Sequence, residues 1–232
     1  MALENKISKK MLFGTLIYVL FFPVLLLFIS GDWFWIQGWI FGIWFLALSY
    51  GAVFYLYFRD PDLLLERFRK PGTGGEKGWD KYFVYAVIIL FIVWFVIMPL
   101  DAKRFMWTQN FPIWIEGIGM IVLIISAYFM LYSYVDNPYL SPLVRIQKER
   151  GQKVVSTGVY GIIRHPLYLG GILFIMGTPL LLGSIYGIII GVLGCLLICG
   201  RIFGEEKVLS EELEGYDEYK KKVKYRLIPH IW

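Results

Sequence analysis

Six apolar blocks, each close to the length of a bilayer crossing, leave this chain few folds to choose from. They run approximately 11–30, 34–58, 82–100, 112–135, 167–182 and 184–203. A helix needs roughly 20 apolar residues to cross the hydrocarbon core, and continuous apolar runs without strict alternation argue against a transmembrane barrel. Hydrophobic residues make up 58% of the 232, against about 45–50% in a soluble domain. The expected fold class is all-α, a polytopic integral membrane helical bundle of about six transmembrane helices. The last two form a C-terminal hairpin joined at Gly183-Ser184, and a cytoplasmic amphipathic tail helix follows.

Charge orients the bundle. With six spans, 21 of the 23 Lys and Arg fall on one side, and only Lys103 and Arg104 on the other. Positively charged loops stay in the cytoplasm, so both termini and the loops at 59–81 and 136–165 are expected there. The net charge of +5 then reflects topology and membrane lipids rather than nucleic acid. Trp33, Trp35, Trp39, Trp107 and Trp114 lie near block ends, as an interfacial belt does. The basic start (Lys6, Lys9, Lys10) and the block from Met11 resemble a signal peptide, but no small-residue cleavage site follows, and the block reads as a retained span. Cys195 and Cys199 lie four apart inside an apolar block as small hydrophobes. Two Cys and two distant His give no metal-ligand spacing, so no metal is expected.

The polar segments divide the chain into 1–135, four spans with a loop at 59–81, and 136–232, a region of loop, hairpin and tail. A short helix is expected near Asp62–Phe68. The run Gly72-Thr73-Gly74-Gly75 lacks the Gly-Lys-Ser/Thr ending of a phosphate loop and reads as linker. Leu143–Arg150 is expected as a short interfacial helix and Gln152–Thr157 as extended chain. From Glu205 to Lys224 apolar residues recur at helical spacing, giving an amphipathic helix that Gly215 weakens. Thr178-Pro179 is expected to tilt the first hairpin arm. Gly187 and Gly191 form a small-xxx-small pair for close helix packing.

Charged groups beside a membrane are costly and usually functional. The hairpin brings Arg164, His165 and Tyr168 near Arg201 and Glu205, and the i, i+4 step puts Arg201 and Glu205 on one helix face. Two readings stay open on the residues alone. One is an interfacial salt-bridge lock, as in a small transporter or receptor. The other is a pocket for a ligand carrying both charges. No span carries a charge in its interior and no obvious repeat is present, whereas a transporter would carry ionisable residues within its spans or an inverted repeat.

Four motifs in order narrow this: Ser156-Thr157-Gly158-Val159-Tyr160, then Arg164-His165-Pro166-Leu167-Tyr168-Leu169-Gly170, then Arg201 with Glu205-Glu206 and Leu209, then Tyr216, Tyr219 and Val223. Together they resemble the isoprenylcysteine carboxyl methyltransferase family, itself related to phospholipid N-methyltransferases, over about residues 137–232. The resemblance implies an integral membrane methyltransferase using S-adenosylmethionine, bound without a Rossmann fold, and a lipophilic small-molecule acceptor, with a carboxylate favoured. It implies a donor site of Gln147, Gln152, Lys153, Val154, Val155, Tyr160, His165, Pro166, Leu167, Tyr168 and Glu205. It implies Arg201 and His165 as catalytic residues, with Arg201 and Asn137 toward the acceptor. Glu206 is expected to point elsewhere. An ionised carboxylate needs alignment and a dry site more than a base. An amine or thiol acceptor is the alternative within enzymes.

Overall fold

The computed structural model describes residues 7–72 and 75–232. Lys6 and the centre of the Gly72–Gly75 run lie outside them. Among the described residues there are eight α-helices: α1 Lys9–Ser30, α2 Ile36–Arg59, α3 Pro61–Arg67, α4 Gly78–Pro99, α5 Ile113–Asp136, α6 Pro166–Leu182, α7 Ile185–Glu212 and α8 Tyr216–Lys222. No strand occurs among the described residues. Five helical segments are long and apolar enough to cross a membrane, and α6, at 17 residues, is a shorter apolar helix between them. The protein is an all-helical membrane protein. Core packing is aromatic: Phe41, Trp44 and Trp94 surround Phe174 of α6, with Trp44 stacked on it at 5.9 Å.

The two ends of the bundle are tied by different polar groups. At one end Lys103 pairs with Asp32 at 2.9 Å and Gln37 donates to Glu116. A fully buried carboxylate, Asp101, sits there in a π-helical turn, Leu100–Arg104, that continues α4. It accepts from Thr108 and from the Ser184 hydroxyl at 2.6 Å, so it anchors the hairpin turn. Gly183 makes that turn possible with φ +76°, a left-handed conformation. At the other end lie α3, the 136–165 segment and the tail. This matches the loop segregation that charge counting predicts.

Close approach explains the small residues. A Cβ on Gly119 would stand 2.3 Å from the Leu181 backbone nitrogen, so α5 and α6 touch backbone to backbone. Gly187 packs on Met98 and Pro179, and Gly191 on Ile175. The helix runs on through Pro179. Proline has no N–H for the Ile175 carbonyl, and that carbonyl faces Gly191.

Three expectations change. The tail is not a separate helix from Glu205. Instead α7 continues unbroken to Glu212, because Glu205–Glu212 keeps the helical register of the span. The chain then turns at Gly215, φ +82°, into α8. Leu143–Arg150 forms only a 3-10 turn at Lys148–Arg150, since the Val144 N–H is bonded to Asp80 and the Arg145 side chain to Glu66. Trp35 is buried rather than interfacial, packed against Leu27 and Gly38, whereas Trp33, Trp39, Trp107 and Trp114 are exposed.

Candidate functional site

A cavity of about 380 Å³ opens at the loop-rich end, between α4, α5, α7, the 137–155 segment and the tail. Its floor is α6. Pro166 takes the first helical position, where a missing N–H costs nothing, and so starts the helix that presents Leu167 and Tyr168 to the cavity. The loop before it is pinned by Gly158. With φ +57°, it lies so near Asp136 that a Cβ would fall 2.0 Å from Oδ2. The same carboxylate accepts from the Val159 N–H at 2.8 Å.

 

Of the thirteen predicted site residues, eleven line this cavity: Asn137, Gln152, Lys153, Val154, Val155, Tyr160, His165, Leu167, Tyr168, Arg201 and Glu205. Gln147 and Pro166 lie outside it. Gln147 is fully buried but spent on the loop. Its Nε2 donates to the Tyr139 carbonyl at 2.6 Å, its Oε1 accepts from Arg150, and its N–H donates to Gln152. Pro166 serves the helix start.

Charge pairing departs most from the sequence reading. Arg201 does not pair with Glu205 one turn away. Its Nε and Nη2 donate to both oxygens of Asp80, at 2.9 and 3.0 Å, and Nη2 also reaches the Pro142 carbonyl. The bidentate edge expected to grip an acceptor is therefore occupied. Asp80 is fully buried, on the first turn of α4, and also accepts from the Val144 N–H at 2.6 Å. Glu205 instead accepts from the Tyr168 hydroxyl.

His165 is buried, with Nε2 at 3.2 Å from Glu206, while its backbone N–H donates to the Arg226 carbonyl. Glu206 does point elsewhere than Glu205, inward, where it also accepts from Arg164 at 2.7 Å and Arg226 at 2.8 Å. This hub ties the tail to the start of α6. Asp80, Glu66, Arg145 and the inward role of Glu206 are what the sequence reading missed. The available signal was that each arginine near the membrane needs a carboxylate.

Arg145 and Glu66 form a second bidentate pair, at 2.9 and 2.8 Å. Burial alone would raise the Glu66 carboxyl, but hydrogen bonds from Arg145 and Ser141, with the Arg145 charge, hold it below its ordinary value. The Tyr216 hydroxyl is buried without a hydrogen-bond partner. That of Tyr160 lies near Asn137 and Ser133 but meets neither with ordinary hydrogen-bond geometry. Burial pushes both phenols well above their usual range, so they stay protonated donors.

Residues 114–214 match the family model described as phospholipid methyltransferase. A protein-S-isoprenylcysteine O-methyltransferase of Saccharomyces cerevisiae is 34% identical over 109 residues, covering 46% of this chain and 46% of that protein. A Delta(14)-sterol reductase of Schizosaccharomyces pombe is 30% identical over 102 residues, covering 42% of this chain and 24% of that one. The chain thus spans about half, or less, of the length of these curated relatives. A solved structure of a eukaryotic intramembrane Ras methyltransferase, isoprenylcysteine carboxyl methyltransferase, superposes with a TM-score of 0.55 at 19% identity. It covers 95% of this chain and 76% of the other, a likeness of fold.

The protein is thus an integral membrane helical protein whose residues 114–214 match the phospholipid methyltransferase family model.

Proposed function

We propose that the protein transfers a methyl group from S-adenosylmethionine to a lipophilic carboxylate. The observation that supports this most is one cavity walled on its tail side by polar and aromatic groups and on its α4 and α5 side by apolar ones. A volume of about 380 Å³ falls in the range of small-molecule sites. The residues present suit the donor. Glu205 offers a carboxylate for its ammonium, and Tyr160 and Tyr216 carry buried hydroxyls without hydrogen-bond partners among the described residues. Tyrosine faces attract a sulfonium by cation–π interaction. When bound, S-adenosylmethionine supplies an electrophilic methyl, which an acceptor oxygen takes as the sulfur leaves as a neutral thioether.

A carboxylate acceptor asks the protein for no base, and the two groups best placed to act as one are engaged. His165 faces Glu206 through Nε2, and Glu205 holds the Tyr168 hydroxyl. The chain's part is to align both reactants and keep water out. His165 then positions, while Arg201, held by Asp80, shapes the wall between the two reactants and keeps Nη1 for the acceptor. Positive-inside counting puts this end and both termini in the cytoplasm, where a soluble donor reaches it, while the acceptor enters from lipid.

Titration of the detergent-solubilised protein with S-adenosylhomocysteine tests the donor site: it should bind, and Glu205→Gln should weaken it about tenfold or more, the loss of one charged hydrogen bond. Radiolabelled methyl transfer to N-acetyl-S-farnesylcysteine should give a base-labile ester. Transfer to phosphatidylethanolamine in its place would give a base-stable amine and reverse the acceptor assignment. Absence of S-adenosylhomocysteine binding, with binding of a reduced nicotinamide dinucleotide instead, would move the chain toward its sterol-reductase-named relatives.

A further inference from the structure

We propose that Arg67, on the short helix α3, receives the oxyanion headgroup of the amphiphilic acceptor. The inference rests on the methyltransferase reading above. Four arginines line the cavity. Arg201 is matched by Asp80, Arg145 by Glu66 and Glu149, and Arg164 by Glu206. Arg67 alone of the four has neither an ion pair nor a hydrogen bond among the described residues. Its guanidinium lies 5.6 Å over the Tyr134 ring. A ring face holds a cation in place without neutralising it, so the full set of donors stays available. Glu66, next in sequence, does not quench it, because both Glu66 oxygens are turned to Arg145.

Position assigns the headgroup to the acceptor. Lys153, the other lining cation without a partner among the described residues, is exposed and precedes Val154, which packs with Tyr216 and Tyr219 on the tail side. Arg67 lies instead on α3, whose Leu63 and Leu64 pack with Tyr134 and Leu140. The cavity wall from there into the bundle is apolar, through Val84 and Ile88 of α4 and Met130 of α5. A fixed cation at the rim of an apolar wall suits an anion on a long chain. A planar guanidinium binds carboxylate or phosphate oxygens in pairs.

The test measures binding, without turnover, of farnesylthioacetate, its methyl ester and lysophosphatidic acid to wild type, Arg67→Gln and Arg67→Lys. Arg67→Gln should weaken one of the two anions by ten- to a hundredfold, the loss of a charge-assisted hydrogen bond. The neutral ester should move less than threefold, and Arg67→Lys should recover part of the affinity. Dependence of farnesylthioacetate identifies a carboxylate headgroup, and dependence of lysophosphatidic acid alone a phosphate. Unchanged affinity for both anions would overturn the proposal, as would an equal loss for the ester, which would make Arg67 a wall residue only. S-adenosylhomocysteine binding is measured on the same samples. Its absence in wild type refutes the methyltransferase reading, whereas its retention in an Arg67→Gln variant with unaltered anion binding refutes this inference alone. Retained donor-analogue binding also shows that the variant is folded.

Discussion

Removing Asp80 should damage the protein far more than its place in the sequence suggests. Asp80→Ala strands the Arg201 guanidinium with the Pro142 carbonyl as its one remaining hydrogen-bond acceptor and leaves the Val144 N–H without its 2.6 Å partner. The Arg201 side chain is only 11% accessible and Asp80 wholly buried, so water cannot take over. Breaking a buried pair by deleting one member costs about 3–5 kcal/mol. For a chain of this size each kcal/mol moves the melting temperature by roughly 2–4 °C, giving a drop of roughly 6–20 °C. Thermal unfolding in detergent, followed by tryptophan fluorescence, reads it. The sharper measurement is a double-mutant cycle. Asp80→Leu with Arg201→Met leaves no buried charge, so the double variant should melt above either single one, with a coupling of about 2 kcal/mol or more. Additive losses, or a single variant melting within about 2 °C of wild type, would refute the claim that this pair clamps α4 to α7.

Gly119→Ala should destabilise strongly, by about 2 kcal/mol or more, because the new Cβ meets Leu181 backbone at 2.3 Å, and overpacking a tight contact costs about 1–3 kcal/mol. Gly117→Ala, which meets nothing within 4 Å, is the control and should melt like wild type. Gly158→Ala should lose about 1–3 kcal/mol, since its φ of +57° disfavours any side chain and Asp136 fills the space. A loss no larger than that of Gly151→Ala, which has φ +60° but open space, would remove Asp136 from the explanation. The Glu66 carboxyl is held below its ordinary value of 4.5, so its stabilisation is complete above that pH and disappears as the pH falls through the lower folded value. Acid unfolding curves of wild type and Glu66→Gln should therefore converge at low pH and separate toward neutrality. Parallel curves would contradict the pairing.

The parts of the molecule that read well from sequence are those governed by local or one-dimensional physics. Six apolar blocks became helices, and the charge count separated two ends that the structure ties with different polar groups. The motif residues converged because they lie within about seventy positions on one hairpin and its flanks. Asp80 shows why the remainder was hidden. It stands between Trp79 and Lys81 at a helix start, where an acid is ordinary, and its partner lies 121 residues away. Glu205 at i, i+4 seemed the natural mate for Arg201, yet the Tyr168 hydroxyl holds it. Glu206, one step and about 100° around the helix, faces inward and joins Arg164, His165 and Arg226. Two adjacent acids at a membrane edge therefore have separate tasks. The outward one is left to the cavity, and the inward one fixes the tail that closes it. What decides between them is helix rotation against α6, a tertiary quantity that no spacing within the motif encodes.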